Sequence, residues 1–402
     1  MSDRPKIAAI ITCFHPGSHA DVILMKFLRG FPTDEGVQEP RVDIVSMYID
    51  QLNGPEVYCH DVGQGVSNTY KIPLYKSIKR ALTLGGEELA VDGVLLIGEH
   101  GDYPENELEQ TMYPRKCFFE QICAVFGASG RSVPVFSDKG LAYNRADSVW
   151  MYERAKELNI PFMAGSSIPV CHRKPFLDFP LDCNMEEVLT IGWAGMEIYG
   201  FHTLEAHQCM VERRKGGEAG VKSVDVIEGP GVWEAGKAGR WSEEFFEIGM
   251  NLLEDKEEGH PKDDSEHCPL PIFMDIEHRD GFKSQVIMLN TFVRDFAFIG
   301  RVDGEIQACE FYTQRGYPHS HFNYLTLNIE EMFVTGEPQY PVERTLYSSS
   351  ILDAVMHARA RSPHRIELPE LDVPYRSYEK LKWQPTEPRP TGANLEPWVY
   401  QW

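Results

Sequence analysis

The 402-residue sequence has no CxxC pair, and its nine cysteines stand singly. That scatter reads as reduced thiols and excludes a disulfide framework. No apolar run approaches about 18 residues, so no membrane-spanning helix is expected. Met1-Ser2-Asp3-Arg4-Pro5-Lys6 lacks the architecture of a signal peptide. Basic residues are scarce: 39 Lys and Arg stand against 61 Asp and Glu, a formal charge of −22. That balance excludes a broad nucleic-acid-binding surface. Internal repeats and a Gly-x-Ser-x-Gly nucleophile motif are also missing. What is there is globular: 42% of residues are hydrophobic and 25% charged, and the length suits two or three domains. The sequence reads as an acidic cytoplasmic protein with a small-molecule ligand and neither membrane nor nucleic acid as partner.

In the first half, short apolar runs alternate with helical patterns. Lys6–Thr12, Arg41–Tyr48, Val91–Gly98, Val133–Ser137 and Pro161–Ala164 read as strands. Ala20–Leu28, with Ser18 as its N-cap, then Ser77–Leu84, Tyr113–Phe126 and Asp147–Leu158 read as helices. This order predicts a Rossmann-like, doubly wound parallel sheet that binds ligands at the carboxyl ends of its strands. The second half changes character. A helix near Glu197–Glu212 precedes a glycine-rich loop, Lys215–Lys237, and a charged, solvated loop, Glu254–Glu266. Phe273–Glu277, Ser284–Asn290 and Asp295–Ile299 read as antiparallel strands, and helices are expected at Leu325–Phe333 and Tyr347–Arg361. A proline-rich tail from about Pro369 is expected to pack on the surface.

The loop Gly98–Glu107 follows a strand at the ligand-binding end of the sheet. Its Glu99, His100, Asp102 and Glu107 suit acid/base work. With His202 added, His100, Asp102 and Glu107 are an alternative divalent-metal set, although the spacing matches no specific metal motif. His319 and His321 form an i, i+2 pair that either lines the substrate side or sits in a surface turn. Ser166, in Gly165-Ser166-Ser167, either holds a substrate oxygen or caps a turn. His207 lies on a different helical face from His202 and reads as structural. Gly63-Gln64-Gly65 has no strand before it and is no phosphate loop.

Five degenerate motifs share an order. They are Val91-Asp92-Gly93-Val94, Asp138-Lys139, Arg173-Lys174-Pro175, Gly200-Phe201-His202 with Glu205, and Thr335-Gly336-Glu337-Pro338. In that order they resemble the Gfo/Idh/MocA family of sugar and cyclitol oxidoreductases over roughly residues 6–368. The resemblance implies a nucleotide-binding domain over residues 1–165 and a substrate and dimerisation α/β domain over 166–368, with an open, mostly antiparallel sheet. It also implies NAD(P) as cofactor, Lys139 beside the nicotinamide and His202 as its acid/base partner. Arg173 would face the substrate. His202 lacks the family's aspartate four residues earlier, a place that Glu197 or Tyr199 would fill if the helix register shifted. Asp50, after the second strand, is placed to hold a ribose and favours NAD over NADP. Ser18 and His19 offer N–H groups to an anion, with Gly98 and Glu99 on the cofactor side. The family's glycine-rich first turn, however, reads Thr12-Cys13-Phe14-His15-Pro16-Gly17-Ser18-His19 here, with one glycine left.

Three functions follow. The first is a dehydrogenase-like enzyme acting on a sugar, cyclitol or related polyol with NAD(P) in a reshaped pocket. The second is a dinucleotide-free lyase or hydrolase on a carbohydrate-like substrate, with or without a divalent metal. The third is a non-catalytic sensor or assembly subunit. The sheet face that carries Phe273, Asp275, Glu277, Gln285, Ile287 and Leu289 is expected to pair two copies into a homodimer, or a dimer of dimers.

Overall fold

The computed structural model describes residues 4–52, 60–316, 319–360 and 364–390. The chain opens with β1 (Lys6–Ile11), passes through a hairpin of β2 (Phe31–Thr33) and β3 (Gly36–Gln38), and continues into β4 (Asp43–Ile49), β5 (Gly93–Ile97), β6 (Val135–Asp138) and β7 (Phe162–Gly165). Apart from the hairpin, these strands form one parallel sheet in the order β4-β1-β5-β6-β7. Every residue of β5 is buried, as are all but the first of β1. A parallel sheet covered on both faces demands such unbroken aliphatic runs. The predicted Rossmann-like sheet is therefore present, and its order reverses between β1 and β5.

The second sheet contains β8 (His172–Lys174), β9 (Met185–Gly192), β10 (Val221–Glu228), β11 (Ile272–His278), β12 (Lys283–Met288), β13 (Phe296–Val302), β14 (Glu305–Tyr312) and β15 (Arg365–Glu367). Its order is β15-β10-β11-β12-β9-β13-β14-β8, antiparallel throughout except where β12 meets β9. Two sequence expectations fail here. The glycine-rich stretch Lys215–Lys237 is no loop: it contains β10 and the helix Gly231–Lys237. The glycines flank the run Val221-Lys222-Ser223-Val224-Asp225-Val226, bulged between Val221 and Ser223, which pairs with β11 and β15. Nor is the sheet face through Phe273, Ile287 and Leu289 open. The helices Gly231–Lys237 and Glu243–Leu252 cover it, packing Val232, Trp241, Phe245 and Phe246 onto those three buried side chains. Of its polar residues, Asp275 bonds Arg240 at 3.2 Å, while Glu277 and Gln285 remain part-exposed. The apolar part of the surface expected to meet a second copy is thus buried within this chain.

The helices His321–Thr335 and Glu343–Ala360 return to the first sheet and close both cores. The tail beyond Pro369 does more than coat a surface. Leu371 is fully buried, and Tyr375 pairs with Glu218 through two backbone hydrogen bonds of 3.0 Å; residues 391–402 lie outside the described set. The tail, the helix Met196–Val211 and the helix Glu343–Ala360 meet at one buried ion pair. Arg344 Nε donates to Glu212 Oε2 at 3.0 Å, and the Tyr375 hydroxyl donates to the same oxygen at 2.9 Å. Neither charged side chain reaches solvent. Breaking a buried pair strands one charge, so Arg344→Met is expected to lower unfolding free energy by about 3–5 kcal/mol. Urea titration checks this, and the double variant Arg344→Met/Glu212→Leu should recover part of the loss.

Candidate functional site

The two sheets approach each other above the point where the strand order reverses. Thr12, just past β1, stitches this region together: its N–H donates to Ile97 O at 3.1 Å and its hydroxyl to Glu99 O at 2.8 Å. Over this seam lies a cleft of about 310 Å³. One wall carries Gly17, His19, Val22 and His100, and the opposite wall Trp193, Phe296, Thr313 and Arg315. Tyr199 and His202 project from the helix Met196–Val211, while His319, His321 and Phe322 enter from the start of the last helix pair. Histidines dominate the lining. The rings of His19 and His100 meet edge-on at 5.1 Å, those of His15 and His100 at 5.5 Å, and those of His319 and His321 at 6.1 Å.

His19 is the most specifically held of these. Its Nδ1 lies 2.7 Å from Asp138 Oδ2, and that carboxylate is buried at the end of β6. The contact fixes the ring and leaves Nε2 as the nitrogen available to a ligand. Burial pushes His100 down to about 3, His319 to about 4 and His321 to about 3, with neighbouring histidines adding to the effect. His202 is depressed by burial and then by Lys139. These imidazoles are therefore neutral at pH 7, and His100 Nε2 and His202 Nδ1 are buried without a hydrogen-bond partner. Left-handed backbone recurs at the site: φ is 68° at His100, 63° at Lys139 and 55° at His319. Side chains other than glycine pay for that conformation, and such positions cluster where function holds them.

Several expected site residues sit elsewhere. Lys139 is closed into an ion pair with Glu99, Nζ to Oε1 at 2.6 Å, and Arg115 bonds the other oxygen of Glu99. Gly98 makes room for this, since a Cβ there would press on the Arg115 side chain. Lys139, Glu99 and Glu197 line a separate polar cavity of about 30 Å³, room for a water or two. Glu197 Oε1 there accepts the Thr111 N–H at 3.2 Å. Arg173 is wholly buried and bonds Leu177 O, Pro169 O and Asp178, so it is structural rather than substrate-facing. Ser166 is also turned inward, its N–H donated to Glu205 at 3.1 Å, and Ser167 lines the cleft instead. Asp102 and Glu107 are exposed and away from the cleft. The set His100, Asp102, Glu107 and His202 therefore does not assemble. Among the described residues, no three His, Cys, Asp or Glu side chains converge as metal ligands.

The residues present do not fit a dinucleotide. The Gly17, Ser18 and Asp21 N–H groups of the first turn are used internally, that of Ser18 by His15 O at 3.0 Å. Ser18 Oγ accepts the Asp21 N–H at 3.3 Å, and Asp21 Oδ2 accepts the Gly17 N–H at 2.8 Å. That reciprocal cap places a carboxylate where the pyrophosphate would need positive potential. The helix behind it begins as a single π-helical stretch, Ala20–Leu24, rather than the expected regular helix. At the adenosine end, Asp50 accepts the Tyr48 hydroxyl at 2.6 Å and the Tyr103 hydroxyl at 2.8 Å. The Gln51 side chain and the Asp102 backbone exchange two bonds across the same gap. The loop after β5 thus occupies the ends of β4 and β1, where a ribose would lie.

A second constellation has catalytic geometry without access. Ser284 Oγ lies 2.9 Å from His278 Nε2, and His278 Nδ1 lies 3.1 Å from Glu218 Oε1. All three are buried, and Ser284 is also bonded to His207, which bonds Thr190. The network ties the helix Met196–Val211 to the sheet, which bears out the structural reading of His207. The sequence offered no signal for Arg315 or Thr313 in the cleft. Trp193 had a faint one, a large aromatic directly after the apolar run of β9.

No family model matches the sequence, and no curated protein matches it. Solved structures do. One is GenD2 from gentamicin A biosynthesis, in complex with NAD, with a TM-score of 0.56 at 11% identity, covering 92% of this chain and 97% of that one. Another is a myo-inositol dehydrogenase from Corynebacterium glutamicum, with a TM-score of 0.53 at 9% identity, covering 90% and 98%. A third is a Gfo/Idh/MocA family oxidoreductase from Vibrio cholerae, with a TM-score of 0.50 at 12% identity, covering 88% and 97%. At these identities the likeness is one of architecture, and the fold of this chain is that of the Gfo/Idh/MocA-type oxidoreductases.

Proposed function

We propose that the protein is a dinucleotide-independent acid–base enzyme, a lyase in reaction class, acting on a carbohydrate-like small molecule in the histidine-lined cleft. The observation that carries this is the 2.7 Å contact between His19 Nδ1 and Asp138 in a cleft whose first turn is already capped by Asp21. With Nδ1 held by Asp138, His19 accepts a proton from substrate carbon at Nε2, and Asp138 stabilises the imidazolium that forms. The same imidazolium then returns the proton to the leaving oxygen. Hydrolysis of a glycosidic bond is a poorer match, because that chemistry uses two facing carboxylates and none of the described lining residues is one. A second reading, an NAD(P)-dependent dehydrogenase of sugars or cyclitols, draws support from the fold neighbours, one of them in complex with NAD.

Incubating the protein in D₂O with hexoses, ketoses, cyclitols and sugar acids, followed by NMR, should reveal deuterium incorporation or loss of a hydroxyl. His19→Gln is expected to lower that rate by about 10²–10⁴-fold, and Asp138→Asn in the same direction with the fold intact. Full activity in His19→Gln would remove the proposal. Thermal shift with NAD⁺, NADH, NADP⁺ and NADPH separates the two readings. No stabilisation is expected, whereas a saturable response lost in Asp50→Ala would favour the dehydrogenase.

The neutral histidines also predict a pH dependence of folding. His100 and His321 have folded values of about 3, below the roughly 6.5 of the unfolded chain. Only the unfolded state gains their protons between those limits, so stability is full above about pH 6.5 and lost as pH falls toward 3. His321→Gln should flatten the decline in urea midpoint between pH 6.5 and 4.5.

A further inference from the structure

The chemistry of the cleft wall says more about its ligand. The protein carries a formal charge of −22, yet none of the described residues lining the cleft is a carboxylate. Arg315 alone among them carries a permanent charge. It is held in place: its guanidinium lies 4.9 Å from the Trp193 ring centroid, Nε donates to Thr313 Oγ1 at 3.3 Å, and one terminal nitrogen bonds Asp255 at 3.0 Å. Asp295 is 3.5 Å from its other terminal nitrogen. Burial pushes Asp295 up to about 7, which leaves much of it neutral at pH 7. Beside Arg315, Trp193 Nε1 is a buried donor with no partner. The one permanent charge of the lining and the unpartnered indole N–H beside it mark this end of the cleft as a place for an anionic group, while the neutral imidazoles and hydroxyls elsewhere can serve hydroxyl groups. Its volume, about 310 Å³, is at the lower end for small-molecule sites and suits one monosaccharide-sized ligand.

We infer that the cleft takes a monosaccharide-sized sugar acid, with its carboxylate on Arg315 beside Trp193 and its hydroxylated carbons toward the histidines. A guanidinium has five N–H bonds, and those that Thr313, Asp255 and Asp295 leave over can donate to a ligand carboxylate. A carboxylate acidifies the C–H next to it, the bond that an acid–base enzyme of this kind has to break. This inference rests on reading the cleft as the substrate site.

Isothermal titration with D-glucuronate, D-gluconate, D-glucose and D-glucose 6-phosphate, at matched ionic strength, tests it. Glucuronate or gluconate should bind about 10- to 100-fold more tightly than glucose. Arg315→Gln should erase most of that difference while leaving glucose within about twofold. Thr313→Val, which frees Arg315 Nε without removing the charge, should weaken the acids less and guards against a folding artefact in the first variant. Equal affinity for glucose and glucuronate, or an Arg315→Gln variant that binds the acids unchanged, overturns the inference and leaves the acid–base proposal standing. Preference for glucose 6-phosphate overturns the carboxylate assignment. Failure of every ligand to bind overturns both readings.

Discussion

The position of the helix Met196–Val211 is the constraint on which the cleft depends. Its first turns carry Tyr199 and His202 into the site, and its later turns bury polar side chains among the apolar ones. His207 is wired to Thr190 and Ser284, Gln208 to Glu218 and Tyr375, and Glu205 to the Ser166 N–H and Thr345. Just past its end, Glu212 holds Arg344. Buried polar groups of this kind contribute little net stability, but each accepts only one geometry. A greasy helix face could slide or rotate by a fraction of a turn. This one has its rotation set by bonds to both sheets and the tail, and the imidazole of His202 inherits that precision.

A structure of the same fold, GenD2, is known in complex with NAD. Here the first turn is closed from within. A helix start has a fixed stock of free N–H groups, and a carboxylate that takes them competes directly with any phosphate. Asp21 is buried, with Lys26 also buried one turn on, its ammonium bonded to Val22 O at 2.6 Å. The π-helical stretch that contains Asp21 keeps this pair beneath the cleft wall formed by Val22 and Phe322. An architecture suited to a large cofactor is left holding a compact cavity bounded by its own side chains.

Much of the scaffold was legible because burial on both faces leaves a simple mark. The runs Lys-Ile-Ala-Ala-Ile-Ile and Gly-Val-Leu-Leu-Ile cannot be solvated, and they became β1 and β5. β10 was not legible, since glycines surround it and the bulge between Val221 and Ser223 breaks its alternation. The covering helix Glu243–Leu252 left a trace in Ser242, which caps Phe245 N at 3.2 Å, followed by the apolar pair Phe245 and Phe246. Of the site, residue types were readable but pairings were not. His19 and Asp138 are 119 positions apart, and a single sequence does not state that β1 and β6 end at the same level. The loop from Glu99 to Glu107 was readable as polar, yet half of it caps the sheet edge through Gln51 and Asp50 instead of facing the cleft.

The left-handed backbone at His100, Lys139 and His319 has a practical corollary for anyone seeking a hardier variant. Glycine adopts that conformation without strain, so these three positions, like Lys71, Leu84 and Ala194 elsewhere in the chain, are ones where a single substitution can relieve strain. They are also where the protein keeps an imidazole or an ammonium in place. A selection for heat resistance alone does not distinguish these positions from the others, so a stabilised form should be sought among substitutions that leave these three side chains untouched.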